Sequence, residues 1–182
     1  QIKPKDLITC DYYFYNGKKI NILEKIPKIL KKIKSIKKVI VFPYSEEFQN
    51  KKEKKYLDFN SIINDSGIDE VFKKFNFDHP LYILYSSGTT GVPKCITHSA
   101  GNVLLEHNKE FSLHCNISNN DKIFYYTTTG WMMWNWLVGS LATGSSIYLY
   151  DGSPTYPRKE ILLEYCQNKK INFFGVSAKY LD

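Results

Sequence analysis

Seven residues in the stretch Tyr85-Ser86-Ser87-Gly88-Thr89-Thr90-Gly91-Val92-Pro93-Lys94 are of the types that hold phosphate. The hydroxyls of Ser86, Ser87, Thr89 and Thr90 and the loop N–H groups can donate to phosphate oxygens, and Lys94 adds a positive charge. Gly88 and Gly91 permit backbone conformations and close approaches that a Cβ forbids. The stretch directly follows an apolar run at 81–85, so the sequence places the loop at a strand end. This is equipment for binding a triphosphate. It is not a Walker A loop, which needs Gly-Lys-Ser/Thr in succession; here Pro93 precedes Lys94 and Cys95 follows it. A hydroxyl-rich surface turn has the same composition, so the loop chemistry by itself leaves both readings open.

The second concentration of unusual residues is Trp131, Met132, Met133, Trp134 and Trp136. Five of six consecutive positions cannot share one face of a helix, so part of this cluster must fill core. The histidines, His79, His98, His107 and His114, spell no H-E-x-x-H, and the cysteines, Cys10, Cys95, Cys115 and Cys166, form no C-x-x-C pair. No resident metal is expected, and the cysteines read as reduced packing residues of a cytoplasmic protein. The absence of a G-x-S-x-G elbow disfavours a serine hydrolase. Asp151-Gly152-Ser153-Pro154 is first of all a turn signal.

The elements that must position these residues follow from periodicity. Residues 7–15 are β-rich and end at Asn16-Gly17, a strong hairpin signal. Ile22, Leu23, Ile26, Ile29, Leu30 and Ile33 recur at helical spacing among lysines, with Asn21 and Glu24 spaced as a capping box. Pro27 requires that this helix be kinked or begin at the proline. Val39–Phe42 reads as a buried strand, and 44–79 as surface loops with one short helix. Strands are expected at 81–85, 94–98, 122–127, 146–150 and 171–175, with helices near 100–115, 132–142 and 158–169. This alternation argues for an α/β fold of largely parallel sheet layers covered by helices.

The chain has 182 residues, 43% of them hydrophobic and 15% aromatic, which excludes disordered, collagen-like and disulfide-stapled classes. Its net charge of +7 suggests an anionic partner until the charge is located. Residues 1–60 hold 15 lysines and 7 acids, whereas 61–182 hold 10 basic residues and 11 acids. Arg158 is the only arginine, and nucleic-acid readers lean on arginine, so no nucleic-acid partner is expected. The competing reading of another class is a non-enzymatic module whose lysine-rich residues 18–55 bind an anion. From Ile123 to Tyr150, 28 positions carry no charge, enough to span a bilayer. Thr127-Thr128-Thr129-Gly130 and Thr143-Gly144-Ser145-Ser146 divide that run into strand, helix and strand, so no membrane span is expected. Gln1-Ile2-Lys3-Pro4-Lys5 leads into no signal-peptide core.

Ser86 to Lys94 matches at all nine positions the phosphate-loop pattern S/T-S/T-G-S/T-S/T-G-x-P-K of the acyl-adenylate-forming superfamily. Tyr126-Thr127-Thr128-Thr129-Gly130-Trp131-Met132-Met133-Trp134-Asn135, Tyr150-Asp151-Gly152-Ser153-Pro154 and Phe174-Gly175-Val176-Ser177-Ala178-Lys179-Tyr180 resemble its acetoacetate-activating branch. The likeness reaches back to Tyr15-Asn16-Gly17-Lys18 and is weakest over about 44–79.

The resemblance implies an internal portion of one AMP-binding domain, part of a large N-terminal domain. Residues 1–79 would form a lysine-rich sheet and helix part and 80–182 a phosphate-loop part. It implies a two-step ligase: ATP and a carboxylate give an acyl-adenylate and pyrophosphate, and the thiol of coenzyme A then displaces AMP. Magnesium would accompany ATP. Ser86, Ser87, Gly88, Thr89, Thr90, Gly91 and Lys94 would hold the phosphates, and Trp131, Met132 and Met133 would wall the acyl pocket. Large residues there fit a short acid, acetoacetate or alternatively acetate or propionate, and Asn135 or Thr129 could donate to a keto oxygen. The adenine motif, the ribose-binding aspartate, the hinge and the lid lysine are expected beyond Asp182, so this chain alone should show little ligase activity.

Overall fold

The structure, a computed structural model, describes residues 2–44, 56–63, 72–86 and 91–182. The chain packs as two units, Gln1–Val71 and Phe72–Asp182.

In the first unit, β1 (Asp6–Cys10) is followed by the hairpin β2 (Tyr12–Tyr15) and β3 (Lys18–Asn21). Asn16 and Gly17, at φ 49° and 71°, make the two-residue turn that the Asn-Gly pair signals. A short 3-10 turn, Leu23–Lys25, leads into α1 (Ile26–Lys32), with Pro27 in the first turn where its missing N–H costs nothing. The capping box does not form. Asn21 closes β3, and its side-chain amide donates to Glu24 Oε1 at 3.0 Å instead of accepting from the helix backbone.

β4 (Lys38–Phe42) lies parallel between β1 and β5 (Tyr56–Asp58). Ile26 and Ile36 bury against Val39 and Val41, and each such side chain contributes about 1.5–3 kcal/mol. The short helix α2 (Phe59–Ile62) is capped by Asp58, whose carboxylate accepts from Asn60 N at 2.9 Å. β5 corrects the reading of 44–79 as loops and one helix: a three-residue strand is too short to show a period.

In the second unit, β6 (Pro80–Ser86) and β7 (Lys94–Ser99) pair antiparallel and lead into α3 (Ala100–Lys109), which continues as a π-helical turn, Glu110–His114. Then β8 (Lys122–Tyr125), α4 (Met132–Gly139) with a 3-10 turn at Ser140–Thr143, β9 (Ser146–Tyr148), α5 (Ile161–Lys169), β10 (Phe173–Gly175) and α6 (Ala178–Leu181) follow. β10, β8 and β9 form a parallel sheet in that order. The uncharged run thus resolves into strand, helix and strand.

Both faces of β8 are covered. Ile123 packs in a core with Phe111, Trp136 and Leu137, while Phe124 meets Tyr165 of α5 and stacks on Phe174. No helix of the described residues is long and apolar enough to cross a membrane.

Candidate active site

Ser86 and Lys94 sit at the loop end of the β6–β7 hairpin. The ladder runs from Tyr82 opposite His98 to Ser86 opposite Lys94, where pairing stops and the loop begins. Gly91 has φ +103°, and no atom of the described residues lies within 4 Å of where its Cβ would be. That positive φ is a backbone conformation that glycine adopts without the strain a side chain would bring. Ser87, Gly88, Thr89 and Thr90 lie outside the described residues.

The parallel sheet gathers the next segments. β8 leads into Tyr126–Gly130, β9 into Tyr150–Pro154 and β10 into Val176–Ser177, so all three leave the carboxyl edge of one sheet, where open α/β sheets bind ligands. They are tied to one another. Tyr126 N donates to Gly175 O at 2.8 Å, and the Tyr126 hydroxyl donates to Gly152 O at 2.9 Å.

Between the hairpin, α3 and α4 lies a cavity of about 910 Å³. Asn102 and Glu106 of α3 and Glu110 of the π-helical turn, spaced by four residues, line it, with His107 beside them. Met132, Met133 and Trp136 face it from α4, Tyr82 and His98 from the hairpin, and Tyr125 and Phe173 from the sheet. From the Tyr82–His98 pair to the Ser86–Lys94 pair is four residues of strand, about 13 Å. One hairpin therefore carries a wall of the cavity and the base of the phosphate loop.

The N-terminus of α3 is closed by its own chain and does not offer an anion site: Ala100 N donates to His79 O and Gly101 N to Phe77 O. The imidazole of His107 is 15% exposed, with Nε2 3.8 Å from Glu106 Oε2. Burial holds its pKa below the ordinary histidine value, against the pull of Glu106 and Glu110. The π-helical turn brings Cys115 back to Glu110. Cys115 N donates to Glu110 O, and its thiol points to Glu110 Oε1 at 3.9 Å. Burial first, and Glu110 second, raise the Cys115 thiol pKa, so it is not a poised nucleophile.

Against known proteins, the chain matches the family model of the AMP-binding enzyme over residues 2–182. The chain belongs to the AMP-binding enzyme family. Its relatives include acetoacetyl-CoA synthetase of Gallus gallus, 44% identical over 194 residues, and acetoacetyl-coenzyme A synthetase of Rhizobium meliloti (strain 1021), 44% identical over 185. Both alignments cover 100% of this chain and 28% of the relative. The solved structure of acetoacetyl-CoA synthetase from Streptomyces lividans superposes with a TM-score of 0.89 at 38% identity, covering 98% of this chain and 27% of that one. The chain therefore spans a little over a quarter of the length of these relatives.

In this member of the AMP-binding family, Ser86 and Lys94 pair at the loop end of one hairpin, with Gly91 three residues before Lys94. Met132 and Met133 lie in the cavity wall. Trp131 does not: it precedes α4 as its N-cap in extended conformation and is 60% exposed. Asn135 and Thr129 do not line the cavity either. Trp136 is the core member of the cluster, packed edge-on to Phe111. Cys95 is exposed, which corrects its reading as a packing residue; the other three cysteines are partly buried. Sequence reasoning missed Glu106, His107 and Glu110 because an acid or histidine on a helix looks like a solvated face. The spacing of four between Glu106 and Glu110 was the available signal.

Proposed function

We propose that the protein of which this chain is part joins acetoacetate to coenzyme A at the expense of ATP, through an acyl-adenylate. The observation that carries the reading is the Ser86–Lys94 pair closing a nine-residue phosphate pattern on the same hairpin whose Tyr82 and His98 line the cavity. Family membership and the two acetoacetyl-CoA synthetase relatives support it.

In the first step a carboxylate oxygen attacks the α-phosphorus and pyrophosphate leaves. Charge then grows on the β- and γ-phosphates, and preorganised N–H groups, hydroxyls and one ammonium are worth most where that charge develops. We assign that role to Ser86, Ser87, Gly88, Thr89, Thr90, Gly91 and Lys94. Met132 and Met133 wall the acyl end, where a thioether adapts to a small apolar tail. In the second step the coenzyme A thiolate attacks the acyl carbon and AMP leaves. Among the described residues no group of three or more His, Cys, Asp or Glu side chains could hold a metal ion. Magnesium enters this reading as the ATP complex, with phosphate oxygens and water as most of its ligands. The reading places the protein in the cytoplasm, supported by four scattered cysteines without redox spacing.

The experiment is pyrophosphate release by the intact protein with ATP, coenzyme A and acetoacetate, acetate or propionate in parallel. Acetoacetate should give the highest kcat/KM. A preference for acetate or propionate rejects the assignment of the acid, and no release with any of the three rejects the ligase reading.

A further inference from the structure

The cavity that Met132 and Met133 share has an uneven charge. Among the described residues, Asp78, Glu106 and Glu110 line it and no lysine or arginine does. Of its two histidines, His98 and His107, burial holds His107 toward its neutral form. Of the three acids, Asp78 and Glu106 are exposed, Glu106 by 53% of its side chain, so solvent screens them more than the partly buried Glu110.

Glu110 is the least exposed of the three acids. It opens the π-helical turn, a feature that recurs at functional sites, and that turn folds Cys115 back so that its sulfur lies 3.9 Å from Glu110 Oε1. Cys115 and Met133 pack on the same core cluster as Phe111 and Trp136. Glu110, Cys115, Met132 and Met133 thus line one cavity.

We propose that Glu110 is a specificity-determining residue that admits monocarboxylic acids with uncharged tails and rejects acids with a second negative charge. This rests on the reading of the Met132–Met133 wall as the acyl end of the substrate site. Acetoacetate and malonate are nearly the same size; a methyl group of one is replaced by an oxyanion in the other. Shape distinguishes such isosteres poorly, whereas a like charge at a partly buried position disfavours the dianion. The same field orients the accepted acid. Its single carboxylate is driven away from α3, and the uncharged ketone end turns toward Met132 and Met133.

The test measures kcat/KM by pyrophosphate release on the intact protein for acetoacetate, malonate and monomethyl malonate. The unaltered enzyme should prefer acetoacetate over malonate at least a hundredfold, and masking the second charge as the methyl ester should recover at least tenfold over malonate. In Glu110→Gln the ratio of malonate to acetoacetate should rise at least tenfold; a packing role alone would lower both acids together and leave the ratio in place. Glu106→Gln, one turn earlier, should raise the ratio less. If the unaltered enzyme uses malonate as well as acetoacetate, or if the ratio stays within twofold in both variants, the proposal is wrong while the ligase reading stands. Failure of the unaltered enzyme with acetoacetate itself removes the reading on which it rests.

Discussion

The hydroxyl of Tyr126 donates to the carbonyl oxygen of Gly152 at 2.9 Å, joining the loop after β8 to the loop after β9. Gly152 has φ +150°, and the Tyr150 ring lies 3.2 Å from the place of its Cβ, so that turn has little room to shift. Removing the hydroxyl in Tyr126→Phe leaves a carbonyl without its partner at a cost of about 1 kcal/mol. The expected outcome is a small loss in urea stability together with faster amide hydrogen exchange at 150–154. Exchange there equal to that of the unaltered protein would show that the tie does not hold the loop.

Gly139 is needed for the approach of α4 to α3. A Cβ built on it would lie 2.3 Å from His107 Nδ1, closer than real Cβ contacts come. Gly139→Ala therefore has to push the half-buried imidazole aside, at about 1–3 kcal/mol of overpacking. His107→Ala creates the missing space, so the double variant should be more stable than the sum of the two single changes. A double-mutant cycle by urea denaturation measures the coupling. Strict additivity would mean that the helix shifts without the histidine being involved.

These two contacts mark the limit of what local sequence conveys. The hairpin at Asn16-Gly17 was legible because both residues must take positive φ, a demand of the turn itself. The glycines, hydroxyls and lysine of Ser86 to Lys94 stand in one short string that is visible without any tertiary contact, and phosphate binding is the role we propose for them. Alternating strand and helix patterns gave β8, α4, β9, α5 and β10 close to their expected places. The antiparallel pairing of β6 with β7 was not visible as such, because two short apolar runs do not state their direction. Nor were Tyr126–Gly152 and His107–Gly139, which join residues far apart in sequence. The π-helical turn at Glu110–His114 was hidden inside an ordinary helical pattern, and with it the placement of Glu110 beside Cys115.

Asp121 links the starts of β8 and β10 and supplies a pH signature. Its carboxylate accepts from Ser118 N at 2.6 Å, Ser118 Oγ at 2.9 Å and Asn172 Nδ2 at 2.6 Å. The backbone bond from Ser118, then its hydroxyl, and further the Asn172 amide favour the ionised form and hold its pKa below the ordinary 3.8. The folded chain then binds fewer protons than the unfolded one, so the contribution is complete above the unfolded value and is lost as pH falls through the folded one. Asp121→Asn should flatten the stability profile below about pH 4 relative to the unaltered protein, with little change in its shape near neutrality. Urea midpoints across acid pH decide it; identical slopes in the two proteins would remove Asp121 from the account. The group is solvent-exposed, so the effect is small and is read from the slope.

Lys94 offers the sharpest test of the phosphate hairpin. It pairs with Ser86 at the last rung of the ladder, so its Cα position is set by backbone pairing rather than by the loop. The charge can be removed without rebuilding the hairpin, because the side chain is exposed and leaves no cavity. Loss of one preorganised group from a site of developing charge costs about 10²–10³ in rate. In the intact protein Lys94→Ala should lower kcat/KM for ATP by roughly 10²-fold while the urea midpoint stays close to its starting value. Lys94→Arg keeps the charge but replaces a compact ammonium by a planar fork, so it should recover only part of the loss. If Lys94→Ala keeps full activity, the lysine is a solvated surface residue, and the hairpin is a hydroxyl-rich turn that does not hold the phosphates.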